Sequence, residues 1–177
     1  MAPYHVVYIN AQTIKRPTMT QRLNYFQASP EALNTLIATE KYLTHCYKTK
    51  KTLSQTLMEL VKIRVSQING CAYCIDMHTK DARAAGENEQ RIYALSAWSK
   101  TDFFSDTEQA ALAWAEANTL LHTQSISDDL YQQVAKVFNP EQLVDLTLAI
   151  TTINSWNRIA LSFNPKPGSY RVGDFDL

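Results

Sequence analysis

Residues 69 to 78 of this 177-residue chain read NGCAYCIDMH. Cys71, Cys74 and His78 stand at positions i, i+3 and i+7, which fall on one stripe of an α-helix. Gly70 is expected to end the preceding helix, so that a new helix begins at Cys71 with both sulfur atoms in its first turn. The unpaired backbone N–H groups and the positive dipole end of that turn favour a thiolate over a thiol.

The helix after Gly70 is predicted to run to about residue 85, because Gly86 supplies a left-handed cap just beyond it. Its apolar face carries Cys71, Cys74, Ile75, His78, Ala82 and Ala85, and its opposite face carries Asp76, Thr79, Lys80 and Arg83. The two thiols therefore point inward, at a separation that lets a disulfide close with little backbone movement. His78 lies one turn beyond Cys74 and is the nearest base for the protons that thiol chemistry moves.

Two other interpretations of the motif stay open on this pattern alone. Cys71, Cys74 and His78 could ligate zinc, although a structural zinc site needs four ligands, usually from loops and turns. The cysteines could also be buried and unreactive, as we expect of Cys46 in the core face of an earlier helix. Three cysteines are too few for a disulfide framework, and a CxxC in a reducing compartment indicates redox or metal chemistry.

Capping residues and apolar spacing predict six further helices. They cover residues 30–49, residue 52 or 54 to residue 69, then 87–98, 106–121, 127–138 and 139–163, and capping boxes at residues 105 and 139 mark two of the starts. Convincing strand alternation is missing, and HVVYI at residues 5–9 is either a short strand or an extended arm. We therefore predict an all-α bundle of about seven helices with short connections: an arm at 1–20, a helical domain at 21–164 and a tail at 165–177.

The composition narrows the classes of partner and location. Lys plus Arg and Asp plus Glu total 17 each, so the formal net charge is zero and a nucleic-acid partner is not expected. No apolar run approaches the roughly 20 residues that cross a bilayer, and the first residues lack the pattern of a secretory signal. These features predict a cytoplasmic protein without a membrane partner.

The spacing of four residues resembles a known signature. Glu59, eleven further residues and then Cys71-x-x-Cys74-x-x-x-His78 are similar to the motif of the AhpD alkylhydroperoxidase group, within the carboxymuconolactone decarboxylase superfamily. Residues 153–159, reading INSWNRI, also resemble the last helix of many AhpD-like proteins. The resemblance implies an AhpD-like helical subunit that assembles as a trimer or hexamer, a reversible disulfide between Cys71 and Cys74, and a proton relay through Glu59 and His78.

Glu59 is the residue on which pattern and resemblance disagree. Helical spacing puts it on a polar stripe with Gln55, Lys62 and Ser66, which predicts a solvated side chain. The resemblance instead turns it toward the helix of Cys71, where its carboxylate would hold His78 in the tautomer that accepts the thiol proton. Tyr73 departs from the family, since the best-known members have a second histidine there and a phenol is no base near neutral pH.

The resulting hypothesis is a thiol-dependent hydroperoxide reductase without a bound cofactor. Cys74 would attack the peroxide, and its sulfenic acid would condense with Cys71 to a disulfide. A dithiol, of the lipoyl type in this family, would reduce that disulfide. The alternatives are a redox-responsive oligomeric binding protein, whose partner surface would include Tyr73, Trp98 and Trp156, and a zinc module. The strict decarboxylases of the superfamily lack the CxxC, so decarboxylation is not expected.

Overall fold

The computed structural model of the chain describes residues 22–175, which contain helices and turns but no strand. The all-α prediction is therefore confirmed. The eight α-helices among these residues are α1 (Tyr25–Ala28), α2 (Pro30–His45), α3 (Gln55–Asn69), α4 (Ala72–Ala84), α5 (Glu89–Ala94), α6 (Asp106–Thr119), α7 (Asp128–Ala135) and α8 (Pro140–Phe163). The predicted arm at residues 1–20, with its HVVYI segment, lies outside the described range.

Three short elements differ from the sequence-based expectation. The four-residue α1 has no apolar period long enough to predict, and it raises the number of helices from about seven to eight. The helix expected over residues 87–98 is α-helical only from Glu89 to Ala94 and continues as a 3-10 segment, Leu95–Lys100. A π-helical turn, Cys46–Lys50, follows α2 and ends at Lys51 with a left-handed backbone.

Helix α3 lies at the centre of the fold and packs against α4, α6 and α8. Its apolar side chains contribute to two clusters, because they face α8 on one side and α6 on the other. The first cluster includes Met58, Val61 and Val65 with Leu146, Ile150 and Ile153, and the second includes Leu60 and Ile63 with Leu95 and Leu112. Among residues 22–175, no helix has the length and apolar character needed to span a bilayer.

The junction between α3 and α4 has the geometry that Gly70 predicts, with one change of boundary. Gly70 adopts a left-handed conformation with φ of 69° and caps α3, as expected. Helix α4 begins at Ala72 rather than Cys71, because Cys71 is itself the N-cap residue. The left-handed glycine thus turns the chain sharply and sets Cys71 directly before the first turn of α4.

Amide side chains fix this junction to α8. The Asn69 side-chain amide donates to the side-chain oxygens of Asn154 and Asn157, at 2.9 Å in each case. The Asn157 amide in turn donates to the Ser66 hydroxyl at 3.0 Å, and both of these side chains are fully buried. The end of α3, and with it the start of α4, is therefore held by a hydrogen-bonded network as well as by packing.

Residues 164–175, which we call the C-terminal strap, fold back against α4 after α8 ends at Phe163. The Gly168 N–H donates to Asp76 at 3.0 Å, and the Lys80 ammonium donates to the Tyr170 carbonyl at 2.9 Å. The Tyr170 hydroxyl donates to Asp81 at 2.7 Å, and its side chain is buried. Pro165 and Pro167 predict that the helix ends here. The return of the chain over α4 is visible only in the structure.

Replacing Asn157 with alanine is expected to lower the free energy of unfolding by about 2 kcal/mol, because the buried Ser66 hydroxyl loses its donor. Urea titration at neutral pH measures the change. Thr151→Ala, at an exposed position of the same helix, is the control and should differ from wild type by no more than about 0.5 kcal/mol. Equal stability of Asn157→Ala and wild type would contradict a stabilising network.

Candidate active site

The two cysteines of the CxxC are joined as a disulfide at the start of α4. Their Cα atoms are 5.4 Å apart, which is within the usual range for a disulfide. As the N-cap residue, Cys71 accepts a hydrogen bond at its sulfur from the backbone N–H of Cys74, at 3.4 Å. Both side chains are buried, so that the first turn of the helix supplies the polar environment of the sulfur atoms.

Glu59 and His78 form a hydrogen-bonded pair between α3 and α4. Glu59 Oε2 lies 2.9 Å from His78 Nδ1, and each residue is only 5% exposed. The solvated position that helical spacing predicts for Glu59 is therefore wrong, because its stripe faces α4 and the pairing compensates its burial. A carboxylate can only accept, so Nδ1 carries the proton and Nε2 is the nitrogen that can accept one.

A second buried ion pair lies next to this one. Lys62, one turn after Glu59 on α3, donates to Glu40 of α2 at 2.8 Å, and both residues are buried. Burial alone would raise the pKa of Glu59, but the charge that His78 carries when it is protonated, its hydrogen bond and the charge of Lys62 outweigh burial and lower that pKa. Glu59 is therefore an ionised carboxylate inside the protein, and it can hold the tautomer of His78 that leaves Nε2 unprotonated.

Asp81 is a third acidic group at the site. One ligand atom each from Glu59, His78 and Asp81 lie within 4.8 Å of one another. Burial raises the pKa of Asp81, and the charge of Glu59 raises it further. The hydrogen bond from Tyr170 acts in the opposite direction, but the pKa stays above its ordinary value. In this structure Glu59 and His78 are hydrogen-bonded to each other, and Asp81 accepts from the Tyr170 hydroxyl. The disulfide also leaves Cys71 and Cys74 without the negative charge that a zinc-bound thiolate carries.

A cavity of about 450 Å³ connects these groups to the outside. Cys74, His78 and Glu59 line it, whereas Cys71 is not among the lining residues. Aromatic side chains from α1, α8 and the strap form much of the remaining surface, and Tyr73 is one of the lining residues. Of the two sulfur atoms, that of Cys74 is therefore the one that a molecule in the cavity would meet.

The other residues that the sequence singled out have different surroundings. Trp156 lines the cavity, but Trp98 does not and donates to Glu116 at 2.7 Å. Cys46 is fully buried, as predicted, and its thiol donates to Asp145 at 3.4 Å. Burial and that carboxylate raise the pKa of the Cys46 thiol, so it stays protonated and unreactive near neutral pH.

Asp81 and Lys62 are site residues that the sequence analysis missed. Asp81 stands at i+10 from Cys71 and so continues the stripe of Cys71, Cys74 and His78 along α4. A search for titratable groups on that stripe would have found it. The pairing of Lys62 with Glu40 leaves no such signal, because the two residues lie on different helices and meet only through tertiary packing.

Fold and site define a class of protein: an all-helical protein with a CxxC at a helix start, in which the second cysteine shares a cavity with a buried Glu–His pair. The sequence model of the carboxymuconolactone decarboxylase family matches residues 30–117, a range that includes all four residues of the motif. The chain belongs to this family, and it is AhpD-like.

Two relatives extend this similarity over most of the chain. YdfG of Bacillus subtilis, which is uncharacterised, is 46% identical over 151 residues, covering 85% of this chain and 99% of that protein. A protein of unknown function from Agrobacterium tumefaciens, described as a candidate antioxidant defence protein AhpD, is 36% identical, with a TM-score of 0.79 over 85% of this chain and 100% of that one.

The same fold also occurs in the debrominase Bmp8. The TM-score is 0.70 at 19% identity, over 81% of this chain and 75% of that one. At this level of identity the likeness concerns the fold alone.

Glu59 generates a testable pH dependence of stability. The pKa of Glu59 is lower in the folded protein than the ordinary value of 4.5. Its contribution to the free energy of unfolding is therefore complete above about pH 4.5 and is lost as the pH falls through the folded-state pKa. Urea unfolding at a series of acidic pH values should show a shallower loss of stability in Glu59→Gln than in wild type. Parallel pH profiles for the two proteins would contradict an ionised, paired Glu59.

Proposed function

We propose that the protein is a thiol-dependent hydroperoxide reductase. The observation that carries this proposal is the shared cavity, in which the sulfur of Cys74 lies with a histidine whose other nitrogen is held by a buried carboxylate. A peroxide reductase needs a thiolate, a base that can take and return a proton, and a second thiol. Cys74, His78 and Cys71 would fill these three roles, with Glu59 orienting His78.

The reaction would begin from the reduced dithiol. His78 Nε2 takes the proton of the Cys74 thiol, and the thiolate attacks the terminal oxygen of ROOH. The O–O bond breaks, Cys74 becomes a sulfenic acid, and the leaving RO⁻ receives the proton from His78 to give ROH. The Cys71 thiol then attacks the sulfenic sulfur, which forms the disulfide and releases water.

An external dithiol would complete the cycle. Thiol–disulfide exchange passes the two electrons of the dithiol to Cys71 and Cys74, so that ROOH plus dithiol gives ROH, water and the oxidised dithiol. We propose a protein-bound or small dithiol of the lipoyl type as the reductant, a cytoplasmic location and a trimeric or hexameric assembly, as the resemblance implies. No bound cofactor enters this scheme.

The position of each sulfur supports Cys74 as the first nucleophile. Cys74 lines the cavity and precedes His78 by one turn, whereas Cys71 is buried beside the backbone N–H of residue 74. The same N–H would stabilise Cys71 as a leaving thiolate when the disulfide is reduced. Burial raises the pKa of Tyr73, followed by the charges of Asp174 and Asp76, so its phenol would act as a neutral donor rather than a base.

A redox-responsive binding protein is the second candidate. The cavity favours it in one respect, because Tyr73 and Trp156 both line the space next to the disulfide and could contact a ligand. Steady-state assays with peroxide and excess dithiol separate the two candidates. A reductase turns over many times, whereas a sensor consumes about one equivalent of peroxide per chain.

Peroxide treatment of the reduced protein should convert two of its three thiols into the Cys71–Cys74 disulfide and leave Cys46 free. Thiol titration and mass mapping measure this conversion. Cys71→Ser and Cys74→Ser should each abolish turnover with a hydroperoxide and dithiothreitol, because each removes one half of the exchange. Cys46→Ala is the control and should retain turnover. Wild-type rates in either CxxC variant would remove that residue from the chemistry.

Substitution of His78 by glutamine should lower the rate at which a hydroperoxide oxidises the reduced protein by about 100-fold or more, because the side chain can no longer carry the proton. The loss should shrink as the pH rises and Cys74 ionises without assistance. Stopped-flow oxidation of the reduced protein across a pH series measures both effects. A loss that is independent of pH would indicate a structural role for His78 rather than a proton relay.

A further inference from the structure

Four aromatic rings form a continuous wall along the cavity that contains Cys74. They are Trp156 of α8, Phe26 of α1, and Phe175 and Tyr170 of the C-terminal strap, and we call them the aromatic wall. The ring centroids of successive neighbours are 6.3, 5.6 and 5.9 Å apart, with interplanar angles of 28°, 23° and 8°. The rings are therefore nearly parallel and support one another.

The aromatic wall is fixed to the helix that carries the reacting groups. Tyr170 donates its hydroxyl to Asp81 of α4, one turn beyond His78, and accepts at its carbonyl from Lys80. Asp76 of the same helix accepts from the backbone of Gly168. These bonds hold the strap against the helix of Cys74 and His78, so a bound molecule would meet a surface that is already formed.

The wall and the reacting groups come from different parts of the chain. The family match covers residues 30–117, which include the CxxC and the Glu–His pair but none of the four rings. The rings instead lie on α1, α8 and the strap, on either side of the matched range. The segments that flank the family's core thus supply the surface on which a substrate would rest, and the core supplies the chemistry.

The charges around the cavity restrict what this surface can take. The lining residues include three carboxylates, Glu40, Glu59 and Asp81, against two ammonium groups, Lys48 and Lys62. Lys62 is already paired with Glu40, so a further anion near Cys74 would meet a net negative surface while His78 is in the neutral form that accepts the thiol proton. Aromatic faces, in contrast, pack well against a flat apolar group.

We infer that the aromatic wall is a subsite for a neutral, flat apolar group of the molecule that reacts at Cys74. The inference rests on the proposed function, because that molecule is then an aryl-substituted hydroperoxide. Hydrogen peroxide has no group to occupy the wall and gains nothing from it. An aryl hydroperoxide gains contacts that bring its O–O bond to Cys74, and a negative charge on the aryl group cancels part of that gain.

Competing peroxides test the inference through their values of kcat/KM. With dithiothreitol as reductant, the kcat/KM for cumene hydroperoxide should be about tenfold higher than that for hydrogen peroxide. Both values are corrected for the reactivity of each peroxide with free dithiothreitol. The para-carboxylate of cumene hydroperoxide should lose most of this preference. Equal corrected values for cumene hydroperoxide and hydrogen peroxide, or a preference for the anion, would overturn the assignment.

A matched pair of substitutions locates the effect. Phe175→Ala should lower the ratio of kcat/KM for cumene hydroperoxide to that for hydrogen peroxide by about tenfold. Phe103→Ala is the control, because Phe103 is 44% exposed against 42% for Phe175 and lies outside the cavity. It should keep the wild-type ratio. A ratio that falls equally in both variants would show that the wall is not the cause.

Binding without turnover keeps this inference distinct from the proposed function. The alcohol 2-phenyl-2-propanol cannot oxidise a thiol, and it should quench the fluorescence of Trp156 saturably in the oxidised protein. The quenching should disappear in Trp156→Phe, and Phe175→Ala should weaken the binding about tenfold. No saturable quenching in wild type would overturn the subsite. Intact binding with no turnover of any peroxide would instead refute the proposed function and leave the subsite supported.

Discussion

The hydrogen bond between Glu59 and His78 is the contact on which the site depends. It joins α3 to α4 inside the protein, where an uncompensated carboxylate would cost several kcal/mol. His78 and Lys62 both stabilise the buried carboxylate, and Lys62 is in turn paired with Glu40 of α2. Three helices therefore have to dock correctly before all four of these groups are paired. The placement of the histidine is a property of the whole fold and not of α4 alone.

The start of α4 also depends on contacts with another helix, here α8. Gly70 makes the turn possible, because its left-handed conformation is unfavourable for residues with a side chain. The direction of the turn is fixed by Asn69, which is hydrogen-bonded to two amides of α8. Cys71 and Cys74 therefore lie at the end of one network, while His78 belongs to another, and α4 is the rigid element that relates the two.

The sequence predicted the local features of this arrangement well. The capping boxes at Ser105 and Asn139 give helix starts that agree with the structure, and Gly70 ends α3 as predicted, because each signal is contained within a few neighbouring residues. Glu59 shows the limit of such reasoning. Its polar stripe resembles a solvated one, and only the partner helix reveals that the stripe is buried and paired. The resemblance to the AhpD group supplied the orientation that periodicity could not.

The strap shows the same limit at the level of the chain. Pro165 and Pro167 predict where α8 stops, but the return over α4 depends on Asp76, Lys80 and Asp81, which are about 90 residues away in the sequence. The hydropathy pattern had assigned Asp76 and Lys80 to a solvent-facing side of α4. They do lie on that side, and the strap uses their remaining hydrogen-bonding capacity to reach the cavity.

The three cysteines illustrate how position within a helix sets the chemistry of one residue type. Cys71 caps the N-terminus of α4, where a backbone N–H points at its sulfur and the helix dipole stabilises negative charge. Cys46 follows the C-terminus of α2, where the dipole has the opposite sign, and it faces the buried carboxylate of Asp145. Both effects keep the Cys46 thiol protonated, and burial adds to them. The reactivity proposed for the CxxC therefore rests on helix polarity and nearby charge, and a count of thiols alone would not distinguish these residues.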